Sequence, residues 1–314
     1  VIDLQQFYRD AVIRQRNQIV IVAGLLIAAF GAAAAAKESY LVMAGGSIAM
    51  VITALVVYRR RTEKFHTHLR LLTSEFPPQW HLILIDHSTY YNRLSDDDKQ
   101  LFGMRVLLFL DSVSIEGVET DVDDEIRLMV AAGAVIPTFA FPTFEYPNLH
   151  NVLIYPEAFN ERFETGGGGS DDEHNSGMVG TGYMNYSMIL SRRDLFAGFS
   201  GTRTSRNVAI HEFAHLLDKA DGVTDGVPAI LMDHASIDAW IGLMDDEMEN
   251  IERGRSDIDE YALTDHAEFF AVACEYFFNS PDKCLYYHEA LYEHLCSIFH
   301  QDPGGNAPDR RSWN

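Results

Sequence analysis

Two long uncharged stretches near the amino terminus constrain this chain more than any other feature. No residue from Ile19 to Ala36 is charged and none from Tyr40 to Tyr58, with only Lys37, Glu38 and Ser39 between them. At about 1.5 Å per helical residue, each stretch reaches roughly 27 to 28 Å, close to the thickness of a bilayer's hydrocarbon core. The pattern predicts a two-helix transmembrane hairpin, over about 18–36 and 40–58, inside an amino-terminal segment 1–68. Arg9, Arg14 and Arg16 precede the first stretch, and Arg59, Arg60, Arg61 and Lys64 follow the second. The positive-inside rule therefore puts both flanks, and the body after them, in the cytoplasm, with the lipid bilayer as one expected partner. The Ala-rich end Ala32–Ala36 also reads as a signal-peptidase site; the second stretch would then stop transfer and leave the body on the same side. Small residues at Gly24, Ala28 and Ala32, and at Gly45, Ala49 and Thr53, have the four-residue spacing that lets membrane helices approach closely.

Charge divides the chain. Residues 1–68 carry 8 basic and 4 acidic side chains, whereas residues 69–314 carry 16 and 42, so the net charge of -22 belongs to the body. A surface so acidic repels phosphate backbones, which excludes nucleic acid as a partner. Cys274, Cys284 and Cys296 lack a C-x-x-C spacing and read as buried, reduced thiols. Beginning on Val1 rather than Met, the sequence reads as a fragment or an alternative-start product.

In the body, Phe65–Leu72 continues the second helix until Pro77-Pro78 breaks it, and a folded domain is expected over 69–300. Ser95 followed by three aspartates predicts a capped helix, and Asp121–Ala134 repeats the pattern. Val152–Tyr155 and Tyr186–Leu190 read as strands, separated by a Gly-rich, acidic surface loop over Thr165–Gly182. Further helices are predicted over Arg206–Lys219, Ile237–Arg253, His266–Asn279 and Lys283–Phe299, with a disordered tail over 301–314. The fold class is α+β, mainly helical with a small sheet.

His211-Glu212-Phe213-Ala214-His215 is an H-E-x-x-H sequence inside one of those helices. Residues four apart share a helical face, so both imidazoles can reach one metal ion. Glu212, about 100° round the helix from His211, then sits beside an open coordination position. Chance would place this pattern about 0.03 times in a chain of this composition. Val208, Ala209, Ile210, Phe213, Ala214, Leu216 and Leu217 make the helix a buried one, where two histidines and a carboxylate demand a partner ion. A hydrolytic zinc site needs a third protein ligand as well. Spacing leaves Glu268 and Glu275, seven apart on one predicted helix, with His266 and Asp218 as outsiders. Asp218, three residues after His215, suits orienting a ligand from behind better than binding metal.

Several blocks in order carry a resemblance. They are His211–Asp218, Asp221-Gly222, Gly226-Val227-Pro228, Tyr261-Ala262, Thr264-Asp265, Ala267–Ala273 and Glu275–Phe278, preceded by Tyr91–Ser95 and Asn151–Pro156. Together they resemble the Mlc titration factor A family of zinc-dependent peptidases over roughly residues 75–300. The resemblance implies the zincin-type metallopeptidase fold shared with the catalytic domain of anthrax lethal factor. It implies one Zn2+ held by His211, His215 and Glu268, Glu212 as catalytic base and Tyr261 as an active-site tyrosine. It also implies hydrolysis of a peptide or protein substrate, by an aminopeptidase. With the hairpin, it places a metalloprotease at the inner membrane of a bacterium, facing the cytoplasm.

On this reading Glu212 accepts a proton from the attacking water and returns it to the leaving amine, while Tyr261 hydrogen-bonds the oxyanion. Two other classes compete. One is a regulatory protein that sequesters a cytosolic transcription regulator at the membrane, as the resemblance to a family that binds the repressor Mlc implies, with weak peptidase activity. The other is a protein whose zinc only staples the fold, which predicts a closed four-ligand site.

Overall fold

A computed structural model describes residues 3–35, 40–157, 177–179, 186–199 and 206–305. The chain forms two compact units, Val1–Glu75 and Phe76–Asn314.

The first unit is a pair of helices, α1 (Leu4–Ala35) and α2 (Tyr40–Leu71). Asp3 starts α1 by accepting from the backbone N–H groups of Gln5 and Gln6 at 2.9 and 3.1 Å, the usual service of an acidic N-cap. The helices run antiparallel: Tyr8 stands edge-on to His68 with ring centroids 5.0 Å apart, and Gln5 Nε2 donates to the Leu72 carbonyl. Leu4, Tyr8, Ala11, Thr62, His68 and Leu72 are buried at this polar end. Along the apolar stretches the order inverts, and Val20, Leu25, Ile52 and Leu55 point outward with 56 to 67% of their surface exposed. Segment Leu4–Ala32 is long and apolar enough to cross a membrane. The expected turn at 36–39, and the side chains of 40–44 at the start of the second expected span, lie outside the described residues. Of the small residues, Gly24 and Gly45 face open space; Phe30 packs over Gly46 instead.

The second unit is mainly helical around a small sheet. Pro78 opens α3 (Pro78–His87) at a position where a missing N–H costs nothing; α2 has already ended at Leu71, so the Pro77-Pro78 pair, expected to break that helix, starts the next one instead. After α4 (Thr89–Arg93), Ser95 caps α5 (Asp96–Ser112) by accepting from Asp98 N, as its sequence predicts. β1 (Ser114–Gly117) follows, then α6 (Asp124–Val135), capped by Asp123. β2 (Asn151–Tyr155), β3 (Gly177–Val179) and β4 (Ser187–Ser191) complete a sheet of order β1-β2-β4-β3. The first three neighbours are parallel, with Val152 opposite both Ile115 and Met188, and β3 pairs antiparallel on the edge. A parallel neighbour requires a crossover, and α6 supplies it between β1 and β2. Most of the expected loop Thr165–Gly182 lies outside the described residues; its described part is β3.

Helices α7 (Arg192–Phe199), α8 (Val208–Asp218), α9 (Ile237–Glu252) and α10 (His266–Asn279) follow. α8 lies against α6, the sheet edge and α10. Its approach to α6 is close: a Cβ on Gly133 would overlap the Ala209 methyl, so only glycine fits there. Phe213 anchors it, with Tyr146 and Phe109 rings 4.9 and 5.7 Å away.

The single helix expected over Lys283–Phe299 is two, α11 (Pro281–Tyr287) and α12 (Glu289–Phe299). The break is at His288, whose φ of -138° is not helical. Its Nδ1 and Nε2 reach Glu247 and Asp257 at 3.0 and 2.9 Å, which holds the ring between two carboxylates. Gln301, where the tail was expected to begin, is buried, accepting from Tyr90 Oη and donating to the Ile136 carbonyl. Residues 306–314 lie outside the described residues.

Candidate metal centre

α8 is set by its first residues. Asn207 is the N-cap, its side chain accepting from Ile210 N at 3.2 Å, and seven apolar side chains then bury the helix nearly all round. The open strip carries His211 and His215, whose side chains are 11 and 14% exposed. Facing them is the first turn of α10. Asp265 caps that helix by accepting from Glu268 N at 2.9 Å. Glu268 is three residues past the cap, where a capping-box glutamate folds back onto the cap's own N–H. Here its carboxylate turns to the imidazoles instead.

Three donor atoms converge. His211 Nε2 is 3.1 Å from His215 Nε2 and 3.0 Å from Glu268 Oε2, and His215 Nε2 is 3.4 Å from the same oxygen. Among the described residues these three form the His/Cys/Asp/Glu cluster suited to a metal ion. Two features test the fit. Bonds of about 2.0 Å to a tetrahedral zinc put its ligands roughly 3.3 Å apart, the spacing found here. Glu268 Oε2 is also buried and, despite its closeness to both imidazoles, takes no well-directed hydrogen bond. Lone pairs aimed at a shared point, not at each other's hydrogens, produce that geometry. The residues present fit zinc.

The electrostatics agree. Burial alone would lower the His211 pKa, yet Glu268 and Glu275 outweigh it and hold the value up at about 10. Burial pushes Glu268 upward, and closeness to His211 and His215 more than reverses that, leaving its carboxyl well below the usual range. Glu212 is 5% exposed, and burial raises its pKa despite the two histidines. Three carboxylates around two imidazoles make a site that calls for positive charge.

The remaining predicted residues are placed as follows. Tyr261 lies on a 3-10 turn, Glu260–Leu263, with its ring 6.1 Å from that of His211 and the Arg206 guanidinium 4.5 Å above it. Arg206 is paired in turn with Asp259, which caps that turn. Asp218 is fully buried; its Oδ2 accepts from Gly226 N at 2.9 Å, and burial lifts its pKa to about 6. His266 turns away to Asp245. Glu275 is not in the donor cluster: Oε1 lies 2.7 Å from His211 Nδ1, and Oε2 accepts from Asn207 N at 2.6 Å. It also borders a cavity of about 360 Å3 whose lining does not include His211, His215 or Glu268. Arg206 and Asn207 escaped the sequence reading, although an Asn ahead of an apolar run is a recognisable cap signal.

An uncharacterized protein of Synechocystis sp. is 30% identical over 242 residues, 74% of this chain and 88% of its own. Proteins named Mlc titration factor A from Salmonella arizonae and Klebsiella pneumoniae are 33 and 32% identical over 209 and 167 residues. Those matches cover 61 and 49% of this chain and 77 and 60% of the relatives. Residues 58–300, a span that contains the whole cluster, match the family described as glucose-regulated metallo-peptidase M90, and the chain belongs to that family.

Proposed function

We propose that this chain is a membrane-anchored, zinc-dependent peptidase of zincin type whose catalytic domain faces the bacterial cytoplasm. The observation that carries the reading is the convergence of His211 Nε2, His215 Nε2 and Glu268 Oε2 within 3.0–3.4 Å beside the buried Glu212. His211, His215 and Glu268 would hold one Zn2+. A zinc ion supplies a Lewis acid that activates water and polarises the scissile carbonyl. Glu212, its proton affinity raised by burial, takes the proton from the attacking water and passes it to the leaving amine. Tyr261, at the rim beside His211, donates to the oxyanion, and Asp218 steadies the carboxyl end of α8. The resemblance favours a free amino terminus as the cleavage end.

The test is turnover of fluorogenic peptides, with free and blocked amino termini, by wild type, by Glu212→Gln and by chelated protein. Wild-type activity lost in the other two supports the peptidase; equal turnover in all three ends it. Preference for blocked peptides ends the aminopeptidase assignment alone.

Anchoring is supported by the outward apolar side chains of α1 and α2 and by the basic residues flanking them. The chain should resist alkaline extraction from membranes, and a cysteine placed at 36–39 should be labelled only from outside the cytoplasm. Release by alkali would remove the anchor from the proposal.

A second reading is favoured by the relatives' name, Mlc titration factor A. Here the domain holds a cytosolic transcription regulator at the membrane and its peptidase activity is weak. Regulator binding unaffected by Glu212→Gln, with negligible turnover, would favour it.

A further inference from the structure

We propose that Glu275 fixes His211 in its metal-binding tautomer and ties it to the amino terminus of α8. The proposal rests on the reading of His211, His215 and Glu268 as the zinc site. Glu275 is seven residues after Glu268 on α10 and only 6% exposed, so its oxygens have little access to bulk water. Both are committed to nitrogen: Oε1 to His211 Nδ1 at 2.7 Å and Oε2 to the backbone N–H of Asn207 at 2.6 Å. An imidazole that donates from Nδ1 presents its lone pair from Nε2, and Nε2 is the atom facing Glu268 and His215. The hydrogen bond behind the ring therefore selects which nitrogen is free in front.

Asn207 extends the consequence. It caps α8, the helix that carries both imidazoles, while Glu275 belongs to the helix that carries Glu268. One carboxylate thus aligns the two helices and the first imidazole together. Packing alone would be satisfied by any side chain of this size. A glutamine has that size but one carbonyl for two N–H donors, and its amide hydrogens would face the second of them. Glu275 is a positioning residue, not a ligand.

The experiment uses the full chain in detergent as wild type, Glu275→Gln, Glu275→Asp and Glu268→Ala. Zn2+ affinity is measured by competition with a chromophoric chelator, and the His211 Nδ1–H resonance is followed in the zinc-loaded protein by 15N-edited NMR. Glu275→Gln should weaken Zn2+ binding by about 10–100-fold and lose the strongly downfield Nδ1–H signal of a carboxylate-bound imidazole. Glu275→Asp should recover part of both. Zinc binding within twofold of wild type in Glu275→Gln, or an unshifted Nδ1–H signal, overturns the proposal. Should Glu275→Gln not fold, absence of the downfield signal from wild type and from Glu275→Asp overturns it equally. Wild-type affinity unchanged by Glu268→Ala would instead sink the zinc site itself, a different failure from tight, Glu268-dependent binding indifferent to Glu275.

Discussion

The Nε2 atoms of His211 and His215 stand 3.1 Å apart, a separation two imidazoles tolerate only with a proton or a cation to share. Glu212, Glu268 and Glu275 surround them, so loss of a bound cation leaves buried carboxylates offset only by the proton that His211 retains. Chelation should therefore destabilise the second unit. At zinc concentrations about 100 times the dissociation constant, the linked stabilisation is about 2.7 kcal/mol. For a domain of this size that is a fall in Tm of roughly 5–11 °C on adding chelator. Calorimetry with and without Zn2+ measures it. An unchanged Tm, or a change that persists in His215→Ala, would contradict a resident metal.

Tyr261→Phe should lower kcat by about 100- to 1000-fold while KM and zinc content stay near wild type, because only the oxyanion contact is removed. Arg206 would remain stacked on the ring, so the turn should keep its place. Steady-state kinetics with metal analysis decides, and a loss confined to KM would assign Tyr261 to substrate binding alone.

Gly226→Ala should cost about 2–4 kcal/mol. Gly226 has φ +78°, and a methyl there would overlap the carbonyl oxygen of His266, the first residue of α10. Its N–H also donates to Oδ2 of the buried Asp218. Since α10 carries Glu268, the substitution should weaken zinc binding as well. Denaturant titration and chelator competition measure the two effects, and a stable protein with wild-type affinity would show that α10 tolerates the displacement.

The His288 cluster predicts a pH dependence of stability away from the candidate metal centre. Burial would depress the His288 pKa, but Glu247 and Asp257 outweigh it and raise it above 6.5. Its contribution is therefore complete below about pH 6.5 and lost as pH rises through the raised value. Asp257, lowered by Lys283, His288 and Tyr276 against the effect of burial, contributes above about pH 4 and loses that contribution on acidification through its depressed pKa. The stability difference between wild type and His288→Gln should be largest near pH 5–6 and shrink toward alkaline pH. Urea denaturation across pH checks this, and a difference that grows with alkalinity would reverse the assignment.

Much of the local structure near the site is legible in the sequence. His266–Asn279 forms over the predicted bounds because Asp265 caps it and the apolar run fills it. The bounds of α8 fall within two residues of those predicted, at a cap the eye can find in Asn207. What escapes is whatever distant residues impose. β1 holds a single buried side chain, Ile115, and exists because β2 pairs with it from more than 30 residues downstream. The break between α11 and α12 lies in an unbroken helical pattern, and only Glu247 and Asp257 show why the chain turns at His288. Glu268 and Glu275 share one face by spacing. Only the register of α10 against α8 decides which carboxylate meets Nε2 and which meets Nδ1.

α8 is sunk so deep that its two imidazoles expose only 11 and 14% of their side chains, so on the proposed peptidase reading a narrow, extended chain reaches them more readily than the surface of a well-folded protein. A loose chain end or a locally unravelled segment can thread that far. Selection among targets would then begin with how readily they come undone, before any pocket reads their side chains.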